Sequence, residues 1–81
     1  MKVAIQLFAV AKQLAGRATV EVDVPEEATV ADLRAALVRH VPALERMASQ
    51  LRFAVNEDYA RDEARIPPGS RVACIPPVSG G

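Results

Sequence analysis

Six residues set the terms on which this chain can fold. Thr19-Val20-Glu21-Val22-Asp23-Val24 alternates without a break. Spacing of two predicts a strand with Val20, Val22 and Val24 pointing inward and Thr19, Glu21 and Asp23 in water. Two carboxylates on the outer side mean that this part of the sheet is solvated on one face. Pro25 lacks the N–H that a ladder needs and ends the strand. A strand that is dry on one side only needs sheet neighbours and an apolar element laid over its dry face.

The rest of the chain supplies both. Val3, Ile5 and Leu7 share one face of a strand that opens the sequence, with Phe8 on the opposite face or at the strand's exit. Ala9 to Ala15 is rich in helix formers, stacks Val10 and Leu14 at a spacing of four, and is followed by Gly16, which suits a left-handed cap. Thr29, with Asp32 three residues on, predicts a capped helix start. Val30, Leu33, Leu37 and Val41 form that helix's buried stripe, with Arg34 and Arg39 off it. Pro42 forces a break at Val41 and opens a further short helical pattern through Leu44, Met47 or Ala48, and Leu51. Arg52 to Val55 reads as a strand, Asn56-Glu57-Asp58 as its turn, and Tyr59-Ala60-Arg61 as a short strand. Pro67-Pro68-Gly69-Ser70 is a turn before a final strand over Arg71–Ile75, with Val72 and Cys74 on one face and Ala73 and Ile75 on the other. The first two strands can pair as an antiparallel hairpin, and the main helix then crosses over the apolar face. The order predicts an α+β domain over 1–75, one main helix on a mixed sheet, followed by an extended tail over 76–81.

Composition bounds what such a domain can do. At 81 residues there is room for one unit and no deep pocket. Ten Lys and Arg balance ten Asp and Glu, which removes the electrostatic footprint expected of a nucleic-acid or anionic-membrane partner. Two Phe, one Tyr and no Trp are too few for a base-stacking platform. One Cys and one His cannot make an internal disulfide or a four-ligand zinc site. No apolar run approaches the roughly 20 residues that span a bilayer. Met1-Lys2 leads straight into the first strand without a signal-peptide pattern, so the expected compartment is the cytoplasm.

The chemistry-bearing side chains have structural explanations. His40 ends the main helix, where a cation suits the dipole. Cys74 lies in an apolar strand as a small hydrophobe. Asp58, Asp62 and Glu63 lack the ligand order of a calcium loop, and Arg61 and Arg65 neutralise them. Glu26 and Glu27 precede a helix N-terminus. Gly16, Gly69, Gly80 and Gly81 are too scattered to cradle a phosphate. The residues therefore predict no catalytic set, no metal site and no bound cofactor.

The tail is the exception. Pro76 and Pro77 fix φ and offer no N–H, which favours a stiff, extended exit from the last strand. Six residues reach at most about 20 Å. Gly80 and Gly81 have no Cβ, so their backbone can pass through a narrow channel. The one useful group at that tip is the α-carboxylate of Gly81. It is a poor acyl donor until a leaving group such as AMP is attached, after which sulfur or nitrogen can displace it. A frayed terminus is the plain alternative.

Ile75-Pro76-Pro77-Val78-Ser79-Gly80-Gly81 resembles the end of the small subunit of molybdopterin synthase, a family of ubiquitin-like sulfur carriers. Phe8-Ala9 opening a short helix with Lys12, Ala54-Val55-Asn56 before its turn, and Val72-Ala73-Cys74-Ile75 running into the tail are similar to other parts of that family. The resemblance selects the β-grasp, or ubiquitin-like, roll among the α+β layouts. It implies that an E1-like adenylyltransferase spends ATP to adenylate Gly81, and that a sulfur-donating enzyme then converts it to a thiocarboxylate. It further implies that Pro76, Pro77, Val78, Ser79, Gly80 and Gly81 enter the active site of the large synthase subunit. There the sulfur passes to cyclic pyranopterin monophosphate in molybdenum cofactor biosynthesis. The chain itself would be non-catalytic, one half of a two-plus-two assembly. Phe8, Ala73 and Ile75 would face the partner, and their alternative is packing beneath the first helix. Lys12-Gln13 stands where the family commonly has Arg-Glu, and Lys cannot reproduce a bidentate Arg contact. Carriers for thiamine or tRNA thiolation, and ubiquitin-like modifiers of lysines, share the Gly-Gly end. An interaction module with an inert tail is the reading from a different class.

Overall fold

A computed structural model describes residues 1–77 of the chain. The elements run β1 (Lys2–Leu7), α1 (Ala9–Ala15), β2 (Thr19–Asp23), α2 (Val30–His40), a run of 3-10 turns (Pro42–Gln50), β3 (Arg52–Val55), β4 (Asp58–Ala60) and β5 (Val72–Ile75). The strands form one mixed sheet in the order β2-β1-β5-β3-β4. The β1–β2 hairpin is antiparallel, with Ile5 opposite Val20 and Val3 opposite Val22. β5 lies parallel to β1 and antiparallel to β3. One helix crossing a mixed sheet of this order is the β-grasp arrangement.

Alternation decides the layers. Val3, Ile5, Leu7, Val20, Val22, Phe53, Val72 and Cys74 are buried on the inner face. α2 lays Val30, Leu33, Ala36 and Leu37 onto them, and Leu44 and Leu51 of the following segment close one end. No polar or charged residue among those described is buried. α2 starts at a complete capping box, in which side chain and backbone satisfy each other. The Asp32 N–H donates to Thr29 Oγ1 (3.2 Å) and the Thr29 N–H to Asp32 Oδ2 (3.0 Å). Val41 caps the helix and Pro42 begins the 3-10 run, as the missing proline donor requires. Gly16 caps α1 with φ 74°, its N–H on the Lys12 carbonyl. A left-handed residue at this position is what glycine allows without a Cβ clash.

Five details depart from expectation. β2 ends at Asp23, but Val24 stays buried because its N–H and carbonyl bond the Met1 carbonyl and ammonium. In α1 the buried residue is Ala11, while Val10 is half-buried and Leu14 exposed, because the helix lies close against the 3-10 run and β5. The turn after β3 has two residues, Asn56 and Glu57, with φ 52° and 75°, so Asp58 already pairs with Val55. Positive φ at both positions is the type I′ geometry that matches strand twist. β5 begins at Val72 because Asn56 takes up the backbone of Arg71, accepting its N–H at Oδ1 and donating its own N–H to its carbonyl. Ile66, which fell outside every periodic pattern, is buried where Thr29 bridges Arg65 and its N–H meets the Ala28 carbonyl.

Truncating the stripe should be costly: Leu37→Ala is expected to lose about 2–5 kcal/mol of unfolding free energy in a urea titration. Glu57→Gly should gain about 0.5 kcal/mol, since glycine removes the left-handed penalty of about 1–2 kcal/mol and returns part of it as chain entropy.

Candidate functional site

The residues of interest gather around the end of β5. Because β5 is hydrogen-bonded to β1 on one side and β3 on the other, the strand that leads into the tail is the middle of the sheet. Pro76 is buried at its end and Pro77 is exposed. Neither can donate to a neighbouring strand, so the ladder stops there. The base of the tail is thereby held from both sides. Val78, Ser79, Gly80 and Gly81, the rest of the expected tail, lie outside the described residues.

The outer face of the sheet carries an apolar group beside that base. Ala73 and Ile75 are half-buried and point away from the core, as β5's alternation demands. Phe8 is extended, with φ −128° and ψ 157°. Extended backbone continues the alternation of β1 and puts the ring on the side of Gln6. Phe8 follows the Leu7–Cys74 pair by one residue, so it flanks Ile75. It is 41% exposed, which is not the packing of a residue sealed beneath α1. Two members escaped the sequence reading. Register places Ala54 opposite both Ala73 and Tyr59, and Tyr59 is 65% exposed. The signal for Tyr59 was the length of the preceding turn, since a one-residue shift exchanges the faces.

Beneath Pro77 runs a polar groove of about 450 Å³, lined by Arg34, Gln50, Leu51, Arg52, Tyr59 and Pro77 among others. Arg34 organises it. The residue is off the helix stripe, yet its side chain is only 17% exposed. Nη1 meets Asp62 Oδ1 at 3.0 Å, and Nη2 donates to the Leu51 carbonyl at 2.9 Å. The guanidinium carbon lies 5.4 Å from the centroid of the Phe53 ring. Its Nε is buried without a partner. One side chain thus ties α2 to the start of β3 and to the segment after β4.

The remaining candidates are dispersed. His40 is exposed at the last turn of α2. Asp62 serves Arg34, Glu63 lies 3.9 Å from Arg61, and Glu27 pairs with Arg65 at 2.6 Å. Among the described residues no three His, Cys, Asp or Glu side chains gather in a metal-binding group. No described helix is long and apolar enough to cross a membrane. Cys74 is fully buried, and burial pushes its thiol up to about 11, with the Arg34 charge pulling the other way.

The ThiS family model matches residues 5–81, nearly the whole chain. The chain belongs to the ThiS family. This ThiS-family chain is 30% identical over 83 residues to the molybdopterin synthase sulfur carrier subunit of Caenorhabditis elegans, covering 100% of this chain and 99% of that protein. The protein of the same name from Arabidopsis thaliana is 33% identical over 81 residues, covering 100% and 84%. Among solved structures, SAMP1 from Haloferax volcanii superposes with a TM-score of 0.87 at 36% identity, over the full length of both chains. The fold is also that of a chain in the complex of subunits 1 and 2 of the molybdopterin-converting factor from Helicobacter pylori. That likeness has a TM-score of 0.66 at 18% identity over the full length of both chains.

The Cys74 thiol sets an alkaline limit on stability. The unfolded chain begins to lose this proton near pH 9.0, whereas the folded chain keeps it to about 11. The contribution is therefore complete below pH 9.0 and lost as pH rises through that window. Cys74→Ala should be less stable at neutral pH, and its denaturation free energy should fall less between those values than the wild type's.

Proposed function

We propose that this chain is the sulfur carrier subunit of a molybdopterin synthase. Full-length similarity to the curated carrier subunits is the observation that carries the reading.

In this reading the α-carboxylate of Gly81 is the working group. A separate adenylyltransferase of the E1 type joins it to AMP from ATP and releases pyrophosphate. A sulfide equivalent from a sulfur-donating enzyme then displaces AMP and leaves a thiocarboxylate. The chain docks on the large synthase subunit through Phe8, Ala73 and Ile75. Residues 76–81 enter that subunit's active site, where the sulfur passes to cyclic pyranopterin monophosphate and Gly81 returns to a carboxylate. This chain supplies the handle, and its partners supply the catalytic residues and the nucleotide. The fold agrees with such a division of labour, because the strand that leads into the base of the tail is held between two ladders. The Helicobacter pylori complex is a precedent for this fold pairing with a second subunit. The cytoplasm is the compartment that fits a carrier spending ATP.

A second reading, a protein modifier, fits the similarity to the small archaeal modifier protein 1 of Haloferax volcanii, which is 37% identical over 84 residues. The two differ in product. Incubated with ATP, the adenylyltransferase and the sulfur donor, the intact chain should gain the mass of one sulfur-for-oxygen exchange. Added large subunit and cyclic pyranopterin monophosphate should discharge it. Deleting Gly81 should abolish both steps and leave the melting temperature unchanged. Unchanged mass with ATP, the adenylyltransferase and the sulfur donor, before the large subunit is added, refutes the carrier reading, and chain-sized adducts on lysines select the modifier.

A further inference from the structure

Three non-glycine residues among those described have positive φ. Asn56 and Glu57 need it for their hairpin turn. Ala9, at φ 50°, belongs to no such turn, because it is the first residue of α1. Alanine has no polar side chain to compensate for the left-handed region. Its neighbour breaks a second local rule. Phe8 is the N-cap of α1, where Ser, Thr, Asp or Asn would satisfy an orphan N–H, and it makes no side-chain cap bond. Two adjacent concessions of stability, around an exposed aromatic ring, are what a functional position looks like.

The surroundings hold this geometry in place. On one side the Leu7 N–H donates to the Ala18 carbonyl at 2.7 Å, and the Leu7 side chain is buried. On the other, the Phe8 carbonyl accepts from the N–H groups of Ala11 (3.1 Å) and Lys12 (3.3 Å), and Ala11 is buried. The backbone of Phe8 is pinned before and after the ring. The sharp turn at Ala9 lets the chain pass from strand to helix without carrying that ring into the core.

We propose that the left-handed backbone at Ala9 is a positioning device that presents the Phe8 ring, already ordered, to a phenyl-sized apolar pocket on the partner that receives the tail. Ring and tail share one partner because Phe8 flanks Ile75, the residue before the buried Pro76. Ordering the anchor in the free chain removes that cost from association, and a buried aromatic is the usual centre of binding energy. This inference rests on the sulfur-carrier reading for the identity of the partner, the large synthase subunit.

The test is a double-mutant cycle read by affinity for the large subunit, together with backbone relaxation of the free chain. Ala9→Val, whose branched side chain opposes positive φ, should weaken binding about fivefold, the scale of immobilising one side chain on association. Ala9→Gly and Ala9→Asn, which accept positive φ, should bind like the wild type. In a Phe8→Ala background, Ala9→Val should cause no further loss, which a merely structural role would not predict. In the free wild type the order parameter at Phe8 should be about 0.85, as in rigid strands, and Ala9→Val should lower it. Equal affinity of Ala9→Val and wild type, or a loss that persists without the Phe8 ring, overturns the proposal. So does an order parameter below about 0.6 at Phe8 in the free wild type. An ordered Phe8 that Ala9→Val loosens, in a chain with no affinity for the large subunit, supports the positioning role and overturns the sulfur-carrier reading.

Discussion

The parallel ladder between β1 and β5 is the contact on which the other features depend. Ile5, Gln6 and Leu7 pair with Val72, Ala73 and Cys74, so the final strand enters between two strands already separated by the helical crossover. Parallel strands cannot be joined by a tight turn, and the crossover they require is what carries α2 over the inner face. The same insertion makes β5 central, buries Val72 and Cys74, and turns Ala73 and Ile75 outward. The tail base, the apolar outer group and the core are three aspects of one strand's placement.

That placement leaves little room for chemistry inside the fold. The inner face is filled by aliphatic side chains and one Phe, and no described polar residue is buried. The thiol that lies there is held protonated by its surroundings. The most elaborate polar arrangement, Arg34 with Asp62, the Leu51 carbonyl and Phe53, joins structural segments under the tail. Half-burying a guanidinium is tolerable because its charge and two of its nitrogens are engaged, and its aliphatic stem covers apolar surface. Under the proposed function the fold is a rigid support for an end group, with reactive side chains left to other proteins.

Much of this was legible in the residues, and the limits have physical causes. Alternation at Val20 and Val22, the Thr29–Asp32 box, the stripe through Leu37 and the break at Pro42 are local signals, and local energetics decided them. The faces of Phe8, Ala73 and Ile75 followed from counting by two. Tyr59 did not, because its position depends on a turn one residue shorter than its composition suggested. Arg34 did not, because helical spacing places a residue on a flank without saying whether the flank meets water or another segment. Ile66 sits in a connection with no period at all, and its burial is set by the pairing of Thr29 with Arg65. Ala9 carries a conformation that its type disfavours, which no propensity argument recovers.

The position of β5 also has a consequence for synthesis. Its partner β1 is the first strand of the described domain, and the two are separated by nearly the whole of it. Until Val72–Ile75 leave the ribosome, β1 and β3 have no common neighbour, and the inner face of both stays partly uncovered. Loop closure over that separation precedes any return from the contacts. A nascent chain cut short before β5 therefore lacks the centre of its sheet and is open to proteolysis. Completion of the sheet and arrival of the strand that leads into the tail are therefore a single event.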